Sequence, residues 1–165
     1  MSHTRIPADV RDGRGNTSFM SAALDGQTDI VKGLLRNGAD VNAQNFEGRT
    51  ALMFAVINLR TATVKTLLQS GADVNVQAHC GCTPLMLAAC SGDNRITQAL
   101  LNRGADARKI CWPGKTALAV AMEHGYQAIG ELLKRAMGHS KQVRPERLPS
   151  EIRSREGSAV FSATN

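Results

Sequence analysis

The cysteines and one neighbouring histidine are the residues of this chain that could do metal or thiol chemistry. His79 directly precedes Cys80, which is followed by Cys82, Cys90 and Cys111. Zinc needs converging ligands, and paired zinc-binding cysteines usually have roughly two to four residues between them. Only one residue separates Cys80 from Cys82, so the spacing disfavours a zinc site. Redox-sensitive thiols fit the pattern better, and ordinary unreactive thiols fit it best.

Motifs of enzyme active sites are missing from the sequence. It contains no Walker phosphate-binding loop and no dinucleotide fingerprint. The four histidines form no recognisable motif with a serine or cysteine nucleophile. Asp40, Asp73 and Asp106 recur at a fixed interval, which indicates a structural role in turns between repeated units. The sequence therefore predicts a protein that is not an enzyme and that needs no metal or cofactor.

Composition is typical of a packed protein of ordinary size. The 165 residues are 42% hydrophobic but only 4% aromatic, so aliphatic side chains must build the core, and the net charge is +6. No stretch approaches the roughly 18 consecutive apolar residues of a membrane span. Residues 1–11 contain no apolar run, so we expect no secretory signal. Cysteines are not needed as staples here, which favours an intracellular setting, cytoplasmic or nuclear.

Residues that recur every 33 positions organise the chain. We call the residues at one such position a column. The clearest columns are the threonines Thr17, Thr50, Thr83 and Thr116, the glycines Gly15, Gly48, Gly81 and Gly114, and the leucines Leu34, Leu67, Leu100 and Leu133. Large apolar residues follow each threonine by two positions. Several columns that keep one register over four copies predict a repeat protein, in which stacked units bury a shared core.

Each unit has the pattern of a helical hairpin. In the second unit Thr50 is a suitable N-cap for a helix over about 51–57. A second helix is predicted over about 62–70, because apolar residues recur there at helical spacing. Gly71 stands where a left-handed C-cap is needed. Turn-forming and extended residues over 73–81 then predict a projecting hairpin.

The 33-residue period and the Gly-x-Thr-x-Leu opening resemble the ankyrin repeat. The segment that begins at Thr83, TPLMLAA, is the best match, and GADVNA from Gly38 is similar to the family's repeat end. The resemblance covers about residues 12–138, in units of about 12–44, 45–77, 78–110 and 111–138. It implies an all-α solenoid of helix–turn–helix units with projecting hairpin or turn loops, stacked with slight curvature.

Two segments flank the repeats. Residues 1–11 form an N-terminal segment in which Ala8, Asp9 and Val10 echo the repeat end and suggest a degenerate half-repeat. Residues 139–165 contain prolines, serines and mixed charges with few large apolar residues. That composition predicts a disordered, basic polar tail.

The sequence departs from the family pattern in three places. Methionine or alanine replaces the histidine that often follows the proline of the opening motif by two residues. In the column of the inter-helix glycine, the second unit has Leu59, so either Leu59 or Asn58 must take the left-handed conformation there. Glu131 and Lys134 make the last helix more polar than its predecessors, which predicts a terminal cap.

The resemblance implies that partners bind at the hairpin tips and on the concave face of the first helices. The tip positions are Phe46, Glu47, Arg49, His79, Cys80, Cys82, Trp112, Pro113 and Lys115. The ends of the first helices add Leu24, Asp25, Ile57, Asn58, Cys90, Ser91, Glu123 and His124. A basic group, expected to surround Trp112, consists of Arg103, Arg108, Lys109 and Lys115.

The tip aromatics leave two alternatives open. Phe46 and Trp112 could anchor a partner, or each could fold back onto its own hairpin. The basic group could attract an acidic surface, or it could be a solvated rim.

The sequence thus favours a monomeric adaptor, scaffold or inhibitor that binds another protein, one whose surface could be acidic. The alternative is a basic module for nucleic acid or an anionic surface, although few aromatics are available to stack on bases. A metal- or thiol-dependent enzyme is the least favoured of the three.

Overall fold

The computed structural model describes residues 10–139, and the backbone in that range forms eight helices. They are α1 (Ser18–Asp25), α2 (Thr28–Arg36), α3 (Ala51–Ile57), α4 (Thr61–Gln69), α5 (Pro84–Ser91), α6 (Asn94–Asn102), α7 (Ala117–Glu123) and α8 (Gln127–His139). The predicted first helix of the second unit coincides with α3. The second, α4, begins and ends one residue before its predicted bounds.

The helices form two rows. An inner row places α1, α3, α5 and α7 side by side, and an outer row does the same with α2, α4, α6 and α8. Each inner helix also packs against the outer helix that follows it in the chain. Contacts therefore join each unit to its neighbours, and the predicted all-helical repeat solenoid is confirmed.

The threonine column starts every inner helix. The Thr50 hydroxyl accepts a hydrogen bond from the N–H of Met53 at 3.4 Å, and Thr17, Thr83 and Thr116 cap α1, α5 and α7 in the same way. Each cap satisfies an amide that has no partner within the helix. The helix starts therefore follow from local side-chain chemistry, which explains why the sequence predicts them so closely.

Aliphatic side chains from both rows build the core. Leu52, Leu67, Leu85 and Leu100 are almost fully buried, and so are most alanines of the inner helices. Burial of one leucine side chain stabilises the fold by about 1.5–3 kcal/mol. Small alanines let neighbouring inner helices lie close together, and Phe19 of α1 is the buried aromatic residue of the described core.

Leu59, and not Asn58, takes the left-handed conformation between α3 and α4. Its φ is +57°, whereas Asn58 has a φ of −93°. At Gly92 in this column a glycine is needed for space as well, because a Cβ there would lie 2.6 Å from the ring of Tyr126. The corresponding residue facing the second unit is Asp93, which is much smaller than Tyr126. A side chain at position 59 therefore has room, and its cost is backbone strain of about 1 kcal/mol.

The last unit has the polar outer face that was predicted for a cap. Lys134 is exposed and forms an ion pair with Glu131 at 3.0 Å. The earlier units have a leucine at the position of Lys134. The predicted half-repeat over residues 1–11 lies largely outside the described residues, as does the predicted tail, of which only His139 belongs to α8.

Candidate functional site

The turns between successive units lie against one another through backbone hydrogen bonds. The N–H of Phe46 donates to the carbonyl of Arg14 at 3.1 Å, and the N–H of Trp112 donates to the carbonyl of Cys80 at 3.0 Å. His79 is bound to Glu47 in the same way at 2.9 Å. The predicted hairpins are short, since none has more than one bridge between its two sides. We call the row formed by Phe46, His79 and Trp112 the tip row.

Both aromatic residues of the tip row are exposed. Trp112 exposes 83% of its surface and Phe46 exposes 67%. The alternative in which each ring folds back onto its own hairpin is therefore wrong. The side chain of Trp112 is therefore largely surrounded by solvent, and the ring of Phe46 lies against Gly15 of the preceding tip. A row of rigidly spaced backbone positions thus presents two large apolar side chains to solvent.

The glycine column makes the close approach of the tips possible. A Cβ at Gly15 would lie 2.7 Å from the Phe46 ring, and one at Gly81 would lie 3.0 Å from the Cα of Cys111. These glycines also have positive φ values, which L side chains adopt at a cost. Gly114 has a φ of +93° but no atom near its Cβ position, because no further tip follows it among the described residues.

Three thiols gather where the third tip meets the fourth. Burial would raise the pKa of the Cys80 thiol, but hydrogen bonds from the N–H and thiol of Cys82, together with the charge of Arg49, outweigh it and lower that pKa. Burial and the neighbouring sulfur atoms of Cys80 and Cys111 raise the pKa of Cys82 to about 12. In residues 10–139 no group of three or more histidine, cysteine or acidic side chains is arranged to hold a metal ion. The pKa values of Cys80 and Cys82 are thus shifted in opposite directions, and Cys80 is the exposed thiol of the three.

The ends of the inner helices form a second row of candidate residues. Asn58, Ser91 and His124 each donate a side-chain hydrogen bond to the carbonyl four residues earlier. Cys90 is exposed, and its Sγ lies 3.6 Å from Nε2 of His124 in the next unit. This pair forms no motif in the sequence, because the packing of successive units brings together two residues that are 34 positions apart.

Comparison with known proteins agrees with this geometry. A family model described as ankyrin repeats (3 copies) matches residues 3–78 and 61–144. The chain belongs to the ankyrin-repeat family. No curated protein sequence matches the chain. Binding to other proteins is the general role of ankyrin repeats. The sequence predicted such binding at the tip row and at the ends of the inner helices.

In the fourth ankyrin unit an ion pair connects the tip with the end of the inner helix. Nζ of Lys115, at the tip, forms an ion pair with Oε2 of Glu123, at the end of α7, with a distance of 2.7 Å. Tip and helix end therefore lie on one side of the ankyrin stack. We call this shared surface the tip face.

The four residues of the predicted basic group contact different parts of the ankyrin stack. Arg103 donates to the carbonyl of Leu68 in α4, and Arg108 donates to the carbonyl of Met137 in α8. Both guanidinium groups thus lie against outer helices, and the expectation that all four cations surround Trp112 is wrong. Lys115 is joined to the inner row, and Lys109 donates to the side chain of Gln77 at 3.2 Å. The sequence did not show this division, because charged residues that are close along an ankyrin repeat can point toward the inner helices or toward the outer helices.

Asn45 is a buried polar residue of the tips that sequence reasoning did not identify. Its Oδ1 accepts hydrogen bonds from the N–H groups of Glu47 and Arg49, and its Nδ2 donates to Asn16 at 2.8 Å. Asp12 organises the first tip in the same way, and hydrogen bonds from Asn16 and Arg14 lower the pKa of its carboxyl. The signal was present in the sequence, since residues 12 and 45 share a column and both have short polar side chains that favour such turns.

No helix in the described part of the ankyrin chain is long and apolar enough to cross a membrane.

Proposed function

We propose that this ankyrin-repeat protein is a non-catalytic module, acting as an adaptor, scaffold or inhibitor, that binds another protein through its tip face. The observation that carries the proposal is Trp112. Its side chain is the most exposed large hydrophobic group described, yet a hydrogen bond to the preceding tip fixes its backbone. Tryptophan is enriched among residues that dominate binding energy, because it buries a large area and has few rotatable bonds.

Further exposed apolar groups support the proposal. Phe46 lies at the other end of the tip row, and Ile57 is 38% exposed at the end of α3. A partner that covers both rows would bury these groups together. Aromatic anchors set among polar neighbours are the composition expected for the centre of a protein interface.

The charges of the tip face suit a partner with acidic side chains. Arg49 is half-exposed and paired with Glu47 at 3.0 Å, and Lys115 is paired with Glu123. An acidic partner would compete for these two cations, while the hydrogen bond of Lys109 within residues 10–139 goes to the neutral amide of Gln77. Exposed ion pairs of this kind contribute little to stability, so their exchange for a partner's carboxylates costs little. We propose that the protein acts inside the cell as a monomer, where its four free thiols stay reduced.

The proposal is tested by affinity capture with the full chain and three variants, followed by titration of the retained partner. The double variant Phe46→Ala, Trp112→Ala is expected to lose at least about thirtyfold in affinity. The matched control is Ile30→Ala, because Ile30 is 45% exposed but lies on the outer helix α2. Trp112→Ala alone is expected to keep the melting temperature, since an exposed side chain contributes little to folding.

The outcomes separate the candidate functions. Equal affinity of the wild type and the double variant would reject the tip face as the docking surface. Retention of nucleic acid, with affinity that falls steeply as salt rises, would favour the alternative of a basic binding module. A protein partner whose affinity changes only modestly with salt supports the proposal.

A further inference from the structure

Cys90 and His124 form an exposed pair on neighbouring inner helices. Cys90 belongs to the last turn of α5, and His124 is the residue that caps the end of α7. The 3.6 Å between Sγ and Nε2 is a hydrogen-bond distance for sulfur. Cys90 is a free cysteine, and solvent reaches both side chains.

The second ring nitrogen of His124 determines what Nε2 does. Nδ1 lies 3.1 Å from the carbonyl oxygen of Val120. A carbonyl only accepts hydrogen bonds, so Nδ1 must carry the hydrogen. In the neutral ring Nε2 is then unprotonated, and it accepts the hydrogen of the Cys90 thiol.

Stacking on a neighbouring aromatic ring also holds the His124 ring in place. The rings of His124 and Tyr126 stack, with centroids 5.9 Å apart and planes inclined by 25°. Tyr126 in turn lies over Gly92, which ends the same helix that carries Cys90. The base is therefore oriented by a backbone carbonyl and an aromatic ring, and it faces the thiol across the joint between two units. A nucleophile, a base and a group that orients the base are the three parts of an activated thiol.

We propose that Cys90 is a nucleophilic modification site for electrophiles of the α,β-unsaturated carbonyl class, with His124 as its general base. Nε2 takes the thiol proton as Sγ attacks the β-carbon of the electrophile. A sulfur–carbon bond forms, the electron pair of the carbon–carbon double bond moves toward the carbonyl, and an enolate results. The imidazolium returns the same proton to the α-carbon. The addition needs no oxidant and has no leaving group, and the product stays attached to the protein.

The other cysteines provide comparisons within the same chain. Cys111 is buried, and Cys82 is half-buried with a raised pKa. Cys80 is exposed and has a lowered pKa, but its hydrogen-bond partner is the Cys82 thiol. Cys80 is therefore an exposed thiol whose reactivity should not depend on His124.

The reaction does not require the proposed function, since it depends only on the pair itself. An adduct at Cys90 would, however, stand at the end of an inner helix, on the tip face. If the tip face binds a partner, modification of Cys90 would weaken that binding. This consequence rests on the proposed function, and the reactivity is measured without any partner present.

The test uses acrylamide as the α,β-unsaturated probe, on the folded full chain at neutral pH. Mass spectrometry of peptides follows the rate of adduct formation at each cysteine. We expect His124→Gln to slow the reaction at Cys90 by about tenfold or more, because it removes a general base. The rate at Cys80 should stay unchanged. In His124→Ala, added free imidazole should restore part of the lost rate, which the loss of a merely structural contact would not allow.

Two results would overturn the proposal. One is an equal rate at Cys90 in the wild type and in a His124→Gln variant with an unchanged circular dichroism spectrum. The other is a wild-type Cys90 that reacts no faster than N-acetylcysteine at the same pH, a comparison that does not depend on how well any variant folds. Partner capture by Cys90→Ser is measured separately, so failure of this proposal is distinguishable from failure of the proposed function.

Discussion

The ring of Phe46 lies over Gly15 of the preceding unit, so closely that a Cβ at Gly15 would be 2.7 Å from its Cδ1 atom. Gly15 therefore leaves space for the Phe46 ring, and it also takes a left-handed conformation with a φ of +77°. The contact joins neighbouring tips on the surface, outside the helical core. It sets the position of one of the two aromatic side chains that we propose as anchors.

A pair of glycine substitutions separates these two roles of Gly15. Gly114→Ala introduces only backbone strain and is expected to cost about 1 kcal/mol of unfolding free energy. Gly15→Ala adds the collision with Phe46 and is expected to cost about 2 kcal/mol. In a Phe46→Ala background the cost of Gly15→Ala should fall to about 1 kcal/mol, as a double-mutant cycle in urea would show. Equal costs for Gly15→Ala in both backgrounds would mean that the ring does not constrain this glycine.

Leu59→Gly is expected to stabilise the protein. The substitution relieves a left-handed conformation that costs leucine about 1 kcal/mol, and part of that gain is offset by the greater chain entropy of glycine. Calorimetry should show a rise of a few degrees at most in the melting temperature. Leu59→Ala is the matched control, because it shortens the half-exposed side chain but leaves the positive φ. A clear fall in the melting temperature of Leu59→Gly would show that packing of Leu59 outweighs its strain.

Alkylation of the tip thiols should follow a fixed order. Cys82 has a pKa of about 12, above the ordinary value of 9.0, so at pH 8.5 it remains protonated and unreactive. Cys80 has a pKa below the ordinary value, so more of it is thiolate at that pH and it reacts first. Iodoacetamide labelling of the native chain, followed by peptide mass spectrometry, measures both rates. The chain unfolded in urea is the control and should lose the difference, whereas faster labelling of native Cys82 would contradict the predicted order.

The sequence predicts the parts of this fold that depend on local chemistry. Thr50 caps α3 with its own hydroxyl, and Gly71 has the left-handed φ that ends a helical unit. Such features need only a few consecutive residues, so a repeated pattern is enough to place them. The column of Leu59 likewise indicated where a left-handed residue was needed.

Relationships between units could not be predicted in the same way. Cys90 and His124 were each identified as candidate site residues, but their hydrogen bond depends on how far one inner helix is displaced along the next. Arg103 was assigned to the surroundings of Trp112, and its guanidinium instead reaches α4. The direction of a long side chain is decided by which carbonyl in the neighbouring unit lacks a partner, and a one-dimensional pattern does not contain that information.

Amide hydrogen exchange of the complex with the captured partner tests the central claim most directly. If the tip face is the docking surface, binding should slow exchange in the turns around Phe46, His79 and Trp112 and at the ends of α3, α5 and α7. Exchange along the outer helices α2, α4 and α6 should stay as it is in the free protein. Protection confined to those outer helices, with unchanged exchange at the tips, would contradict the account.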